Sequence, residues 1–375
     1  MSSSTSPRVV FGVTVAATLR LLRPVIMEVT ARGWTATAVC SPLDADQVHA
    51  EPLTVQAIPM TRDISPLTDL RSLREWINYL RDVRPDIVVG STPKAALLSL
   101  VAARLTNIPV RVFQIRGARW DGLSGWRGLL LRTMDRLAAA CATDVIAVSD
   151  SMADLFLSKG ITSSRPVVLG RGGSKGVDLA LFQPAIEPPT EPTIGFVGRL
   201  SRDKGIDAVL EVFERCRRVH SRCRLLVVGP LDAADPIDME TVAGLQDSGV
   251  KWLGPRSDVP ECLQQMDVLV FPSIREGLPN AVIEAAACGV PTVGYSVPGV
   301  KDAIEPGTNG YLIPIGDIES MAAATLKILD SKQDHKMRAS SRRFAEEHFD
   351  QRNVVSAFVD YLDKLRLAHS QPSAH

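Results

Sequence analysis

The sequence predicts an α/β fold made of two domains, each with a parallel sheet that carries helices on both of its faces. Predominantly apolar segments, such as 86–90, 110–115 and 268–271, are typical of strands buried on both faces, and they alternate with helical segments. The 375 residues exceed one ordinary domain. A glycine- and then proline-rich segment begins at Leu169, as expected of a linker between domains. We therefore assign residues 1–182 to the first domain and residues 183–350 to the second.

Composition favours a folded protein and argues against nucleic acid as a partner. Hydrophobic residues make up 45% of the chain, which is enough for two cores. The net charge is zero, but residues 1–185 hold 21 basic and 15 acidic residues, and residues 186–375 hold 21 and 27. The first half therefore carries +6, which suggests an anionic surface or acceptor, and no recognition motif accompanies this charge.

Cysteine usage and hydropathy indicate the compartment. The six cysteines are scattered without a C-x-x-C pair, so we expect buried, reduced thiols. The N-terminal segment has no apolar core typical of a signal peptide, and no segment approaches the ~18 apolar residues of a spanning helix. We expect a cytoplasmic protein whose contact with the inner face of the plasma membrane, if any, is peripheral.

The chain opens with a strand at 9–15, a helix from 19 onward and a second strand at 35–40. The turn after the first strand, Ala16–Thr18, lacks the G-x-G-x-x-G pattern, which argues against a dinucleotide in this domain. Asp44 and Asp46 imitate a metal-binding D-x-D pair, but we interpret them as part of a solvated loop and predict no metal site.

A later part of the first domain combines basic and aromatic residues. The strand 110–115 leads into the sequence RGARW, residues 116–120, and a helix is predicted over 125–141. Its helical spacing predicts an apolar stripe that faces the core; the stripe comprises Trp126, Leu130, Met134, Leu137 and Cys141. The arginines at 127, 132 and 136 join Arg116, Arg119, Trp120 and Trp126 in a basic, aromatic-bordered patch. This patch is either a solvated surface or a docking face for anionic lipid head groups.

The second domain has its own succession of strands and loops. A strand at 193–197 is followed by the loop GRLSRDKG, residues 198–205, and by a helix from Ile206. Strands at 225–228 and 250–253 follow, and the latter leads to Gly254. Arg199 and Lys204 lie five residues apart in the loop 198–205. The forked guanidinium of the arginine and the compact ammonium of the lysine can therefore bind the same diphosphate.

The segment 267–304 gives the sharpest indication of a site. The strand 268–271 is ended by Pro272, and a helix begins near Pro279 and ends near Cys288. Glu276 lies at the carboxyl end of this strand, where ligands bind in open parallel sheets. Glu284 lies in the helix, four residues after Asn280 and on the same side. The backbone N–H groups between the two glutamates, with the helix N-terminus, can bind an anion.

The spacing E-G-L-P-N-A-x-x-E, from Glu276 to Glu284, resembles the E-x7-E signature of retaining GT-B glycosyltransferases of family 4. The segment IGFVGRLSRDKGIDAVLEVF, residues 194–213, resembles the second motif of that family. The resemblance implies two Rossmann-like domains that face each other across a cleft. It also implies that the C-terminal helix, 351–368, packs back on the first domain.

The resemblance implies roles for particular residues. It implies that the donor is a nucleotide-sugar, by family habit a UDP-sugar, and that the reaction retains configuration without a cofactor or metal. The residues implied in catalysis are Glu276, Arg199 and Lys204. The implied donor-binding residues are Gly198, Gly277, Leu278, Asn280, Glu284, Gly254 and Arg256. Acceptor-side candidates are Thr18, Arg116 and Arg119. Several GT-B families place a histidine that contacts the sugar after the strand that corresponds to 110–115. This chain lacks that histidine, and Gln114, Arg116 or Arg119 can take its role.

The R-G-x-R form of residues 116–119 resembles a branch that builds bacterial surface polysaccharides on lipid carriers. We therefore expect a lipid-linked saccharide acceptor and the transfer of a hexose or N-acetylhexosamine. Three alternatives stay open: a soluble small-molecule acceptor, a GT-B sugar-nucleotide epimerase, and a non-catalytic donor-binding subunit. The epimerase would need acid and base groups in the first domain, which has no histidine between His49 and His220.

Overall fold

A computed structural model describes residues 6–15, 18–42, 54–61, 65–187, 189–233, 235–330 and 336–370. The chain forms two compact units: Met1–Lys175 with Arg352–His375, and Gly176–Gln351. The units divide at Lys175 and Gly176 rather than at 182 and 183, because Val177 and Phe182 pack in the core of the second unit.

The first unit contains a six-stranded parallel sheet. Its strands are β1 (Arg8–Gly12), β2 (Thr35–Cys40), β3 (Thr54–Ala57), β4 (Ile87–Gly90), β5 (Val110–Ile115) and β6 (Asp144–Ala147), in the spatial order β3-β2-β1-β4-β5-β6. Every residue of β4 is buried, as the unbroken apolar sequence predicts for a strand covered on both faces.

Helices cover both faces of this sheet. They are α1 (Leu19–Ala31), α2 (Pro66–Val83), α3 (Pro93–Leu105), α4 (Gly125–Cys141), α5 (Asp150–Ser158) and the C-terminal helix (Gln351–Ser370), numbered α13 in chain order. Apolar residues of α1 and α13 share one core with β1, Val9 and Phe11 among them. Residues of α2, α3 and α5 form the core on the opposite face, around Trp76 and Phe156.

The second unit repeats the architecture. Its strands are β7 (Thr193–Val197), β8 (Arg224–Val228), β9 (Val250–Trp252), β10 (Val268–Phe271), β11 (Thr292–Tyr295) and β12 (Gly310–Ile313). All neighbours are parallel, in the order β12-β11-β10-β7-β8-β9. After β7 the chain continues to β8 on one side of the sheet, and after β10 it continues to β11 on the other side. The strand order therefore reverses between β7 and β10, and open α/β sheets bind ligands at such a reversal.

The helices of the second unit are α6 (Ile206–Val219), α7 (Met239–Gly244), α8 (Val259–Leu263), α9 (Asn280–Ala287), α10 (Val300–Ala303), α11 (Ile318–Asp330) and α12 (Lys336–Phe349), with a 3-10 turn at Arg202–Lys204. The predicted fold class, two doubly wound parallel sheets, is confirmed. Among the described residues, the six cysteines form no disulfide bond; Cys141 is half-buried and the other five are buried.

Candidate functional site

The loops that follow β7 and β10 meet at the carboxyl edge of the second sheet. Lys204 Nζ donates to Glu276 Oε1 at 2.6 Å, and the two side chains are only 15% and 14% exposed. The two residues are 72 positions apart in the sequence, and parallel strands bring them together because the carboxyl ends of such strands lie at one edge. The structure thus joins two of the three residues that the sequence nominates for catalysis.

Asp203 ties these two loops together. Its carboxylate accepts from Ser201 Oγ at 2.5 Å and from Arg275 Nη2 at 3.3 Å, and its carbonyl oxygen accepts from Ser273 Oγ at 3.2 Å. Burial raises the pKa of Asp203, but the hydrogen bond from Ser201 and the charges of Lys204 and Arg275 outweigh burial and lower it. Sequence reasoning missed this residue, although it lies within the RDK segment beside Lys204.

Two glycines allow the close approach of backbone around Glu276. Gly205 has φ +67°, and a Cβ there would lie 2.6 Å from the carbonyl oxygen of Pro272. Gly299 has φ +82°, and its Cβ would lie 2.5 Å from the carbonyl oxygen of Gly277 and 2.7 Å from that of Glu276. Real Cβ atoms do not approach backbone so closely, so both positions require glycine. Sequence reasoning missed Gly299, whose only signal was its place at the start of a helix.

Arg199 follows β7 but has a different carboxylate partner from Lys204. Its guanidinium forms an ion pair with Asp232, which follows β8, and the arginine side chain is 54% exposed. Gly229 supports this turn, since a Cβ there would lie 1.7 Å from the carbonyl oxygen of Gly198. The two cations therefore lie in one loop, each held by its own acid, and their convergence on a diphosphate stays a prediction.

The helix α9 begins at Asn280, with Pro279 at its N-cap, and ends at Ala287. Asn280 and Glu284 lie one turn apart and are both partly exposed. Gly277 is buried, and Leu278 packs against the core of this unit. The contact between Glu284 and a ribose stays a prediction.

The turn after β9 holds Gly254 and Arg256, two of the residues nominated for donor binding. The carbonyl oxygen of Gly254 accepts from Gly229 N at 2.9 Å, and Arg256 Nε donates to Asp258 Oδ1 at 2.7 Å. Trp252 lies beside this turn with an exposed side chain, and its Nε1 donates to the carbonyl oxygen of Gly229 at 3.0 Å. Sequence reasoning missed Trp252, an aromatic ring within two residues of Gly254.

The acceptor-side candidates lie in the first unit. Thr18 is the N-cap residue of α1 and makes no side-chain capping bond. Arg119 is exposed, whereas the terminal nitrogens of Arg116, Nη1 and Nη2, are buried without a hydrogen-bond partner among the described residues. Burial lowers the pKa of Arg116 to about 10, so the guanidinium stays charged at neutral pH.

The predicted core stripe of α4 is wrong at two of its five positions, whereas Met134 is buried and Leu130 and Cys141 are partly buried. Trp126 and Leu137 are exposed, and the buried positions of the helix are Gly128, Met134, Asp135 and Ala138. The helix is rotated about its axis relative to the predicted orientation, because the Asp135 carboxylate lies in the interior and accepts a hydrogen bond from Trp120 Nε1 at 2.8 Å. Burial raises the pKa of Asp135 to about 7, against the opposing hydrogen bond from Trp120 and the charge of Arg119.

The predicted basic, aromatic-bordered patch does not form a single surface. Trp120 is fully buried, and the Arg132 guanidinium lies over its ring at 5.1 Å. Arg136 Nε donates to the carbonyl oxygen of Gly160 at 2.9 Å. The N-terminal end of α4 combines an exposed aromatic ring with a basic group: Trp126 is 69% exposed, and Arg127 lies 5.5 Å from its ring centroid.

Across the described ranges, no three histidine, cysteine or acidic side chains are grouped so that they could hold a metal ion. Asp44 and Asp46 lie outside the described residues. Within the same ranges, no helix combines the length and apolar character needed to cross a membrane.

Two family models match the chain, one in each unit. Residues 16–172 match a glycosyl transferase 4-like domain, and residues 191–331 match glycosyl transferases group 1. Both nominated motifs, Arg199 with Lys204 and Glu276 with Glu284, lie within the second match.

Relatives and solved structures agree with these matches. The chain is 33% identical over 286 residues to a capsular polysaccharide biosynthesis glycosyltransferase, CapM, of Staphylococcus aureus, covering 73% of this chain and 75% of the relative. It is 26% identical over 289 residues to the UDP-Gal:alpha-D-GlcNAc-diphosphoundecaprenol alpha-1,3-galactosyltransferase of Escherichia coli, covering 73% and 74%. The structure of Anabaena HepE in complex with UDP-glucose superposes with a TM-score of 0.77 at 19% identity, covering 95% of this chain and 99% of HepE.

The fold and its motifs define a glycosyltransferase of the GT-B class. The chain belongs to family 4 of these enzymes.

Proposed function

We propose that the chain transfers a hexose or N-acetylhexosamine from a UDP-sugar to a lipid-linked saccharide, with retention of configuration and without a metal ion. The observation that carries this proposal is the Lys204–Glu276 pair, which lies where the strand order of the second sheet reverses. A carboxylate for the sugar and a cation for the leaving phosphate lie there side by side.

The departing nucleoside diphosphate develops negative charge, which cations can stabilise. We assign Lys204 and Arg199 to the diphosphate, the former as a point charge and the latter as a fork. The backbone N–H groups of Gly277 and Leu278, with the N-terminus of α9, add fixed partial positive charge. These groups together perform the work of a divalent cation, which is why we propose metal-independent catalysis.

Glu276 is assigned to the hydroxyl groups of the donor sugar near the reacting carbon, and Glu284 to the ribose. In the proposed chemistry, the acceptor hydroxyl attacks the anomeric carbon on the face from which the diphosphate departs. The bond from carbon to the phosphate oxygen breaks, and that oxygen takes the acceptor proton. No protein nucleophile is required, and the configuration is retained.

The acceptor is assigned to the first unit. The E. coli relative is named for an acceptor that is a GlcNAc-diphosphoundecaprenol, and the S. aureus relative for capsular polysaccharide biosynthesis. The net charge of +6 on residues 1–185 is complementary to such an anionic acceptor. Thr18, Arg116 and Arg119 are the residues that we assign to it.

A lipid-linked acceptor also requires contact with a bilayer surface. The N-terminal end of α4 supplies exposed apolar side chains, namely Leu123, Trp126 and Leu129, beside Arg127. An indole next to a guanidinium suits the interface of an anionic membrane. We propose that this end of α4 reaches the membrane surface from the cytoplasm.

One assay tests the proposal. The purified protein is incubated with UDP-, GDP- or ADP-sugars, with and without a polyprenyl-diphosphate saccharide, in EDTA or in added Mg²⁺. We expect transfer from a UDP-sugar only in the presence of the lipid acceptor, at equal rates in EDTA and Mg²⁺. Transfer to a soluble saccharide alone would identify the small-molecule alternative, and donor isomerisation would identify an epimerase. A strict metal requirement would refute the metal-independent mechanism, and the absence of any reaction would favour a donor-binding subunit.

A further inference from the structure

Among the described residues of the first unit, one charged side chain has terminal nitrogens that are buried and unpaired. Arg116 follows β5, and neither Nη1 nor Nη2 has a hydrogen-bond partner among the described residues. A buried charge without a partner destabilises a folded protein. A side chain kept in this state is typical of a binding site, where the ligand supplies the missing partner.

The orientation of this guanidinium is fixed from two neighbouring strands. Arg116 Nε donates to Gln114 Oε1 at 3.4 Å, and Ser91 Oγ donates to the same oxygen at 3.0 Å. Gln114 lies in β5 and Ser91 follows β4; they are 2% and 3% exposed. Because the side-chain bond uses only Nε, the two terminal nitrogens remain for a bidentate partner.

The neighbouring helix terminus adds further positive potential at this edge. Thr92, which follows Ser91, is the N-cap residue of α3 but makes no capping bond to the helix. Its hydroxyl oxygen instead accepts from Thr14 N, after β1, at 2.9 Å. The first turn of α3 has no acidic residue. The edge formed by β1, β4 and β5 therefore combines an uncapped helix end with a fixed guanidinium.

We propose that Arg116 binds a phosphoryl group of the acceptor through both terminal nitrogens, with its side chain held ready by Gln114 and Ser91. Arginine and phosphate match in this bidentate geometry. This inference rests on the proposed function, which places the acceptor in the first unit. The phosphoryl group belongs either to a lipid carrier diphosphate or to a soluble sugar phosphate.

The test measures binding of inorganic pyrophosphate by calorimetry in saturating UDP, which fills the diphosphate site of the second unit. We expect Arg116→Met to weaken pyrophosphate binding at least tenfold and to leave UDP affinity unchanged. The melting temperature of unliganded Arg116→Met should equal or exceed that of the parent, because a buried unpaired charge is removed. Arg74→Gln, on an exposed position of α2, is the matched control and should bind pyrophosphate as the parent does.

Pyrophosphate affinity in Arg116→Met equal to that of the parent would overturn the proposal. Should that variant fail to fold, Arg116→Lys keeps the charge and loses the fork. We expect its pyrophosphate affinity to lie at least threefold below that of the parent, and parental affinity would again overturn the proposal.

Two further ligands separate the sources of the phosphoryl group. Farnesyl diphosphate binding more tightly than pyrophosphate, in an Arg116-dependent way, would indicate a lipid carrier, whereas Arg116-dependent binding of glucose 1-phosphate would indicate a soluble acceptor. Transfer activity of the parent tests the proposed function separately. If the parent transfers sugar and Arg116→Met keeps the parental acceptor KM and the parental pyrophosphate affinity, only this inference is refuted. Arg116-dependent pyrophosphate binding in a protein that transfers nothing refutes only the proposed function.

Discussion

Removal of the Glu276 carboxylate should separate sugar chemistry from diphosphate binding. In Glu276→Ala, Lys204 loses the acceptor oxygen that lies 2.6 Å from its Nζ, and the donor sugar loses its proposed carboxylate. A loss of about 3 kcal/mol in transition-state stabilisation lowers kcat/KM roughly 150-fold. The affinity for UDP should stay equal or rise up to about tenfold, since Lys204 is released from a competing carboxylate.

The fold should survive this substitution. Both side chains are largely buried, at 15% and 14% exposed, so the loss of Glu276 leaves Lys204 without its partner and costs roughly 1–3 kcal/mol, which a folded domain tolerates. Lys204→Ala should show the opposite pattern, with UDP affinity at least tenfold weaker. Because the residues are in contact, the double variant should not show the sum of the two single effects.

The measurements are steady-state UDP release with donor and acceptor, and calorimetric titration of UDP. Glu319→Ala is the control, since Glu319 is exposed on α11 and lies outside the proposed site. Turnover of Glu276→Ala within threefold of the parent would remove this residue from the mechanism. Weaker UDP binding in the same variant would show that Glu276 positions the diphosphate site rather than the sugar.

Three further perturbations test other parts of the structure. Asp135, with its pKa raised to about 7, is protonated in the folded state and ionised in the unfolded chain between about pH 4 and 7. Its contribution to stability, on the order of 4 kcal/mol, is therefore lost as pH rises through that window. Asp135→Asn should flatten the pH dependence of the denaturation midpoint, and an unchanged slope would contradict the raised pKa. Gly299→Ala should lower turnover at least tenfold in a folded protein, because its Cβ meets the backbone of Glu276; parental turnover would show that the loop yields freely. Trp126→Ser combined with Arg127→Glu should abolish co-sedimentation with anionic vesicles at low salt and preserve UDP affinity, and retained sedimentation would exclude this end of α4 as the membrane contact.

The sequence alone determined the fold class and the composition of the loops that we nominate for donor binding. Strands covered on both faces carry few polar residues, so β4 and β10 are evident as unbroken apolar segments, and β5 as an apolar segment interrupted by Arg111 and Gln114. The two motifs proposed to bind the donor are equally local, because each combines glycine, charge and a helix start within about ten residues. Such short-range patterns survive without knowledge of any neighbouring element.

The orientation of α4 about its axis and the hydrogen-bond partners of the buried polar side chains were decided only by the tertiary structure. Three consecutive leucines, 129–131, surround much of α4 with apolar groups, so spacing alone did not select its buried face. That face was set by the interior bond between Asp135 and Trp120. The sequence likewise nominated Arg116 among several acceptor-side residues but could not show that its terminal nitrogens are buried and unpaired. Such features depend on contacts between residues far apart in the chain, and only packing determines which of many polar side chains meet there.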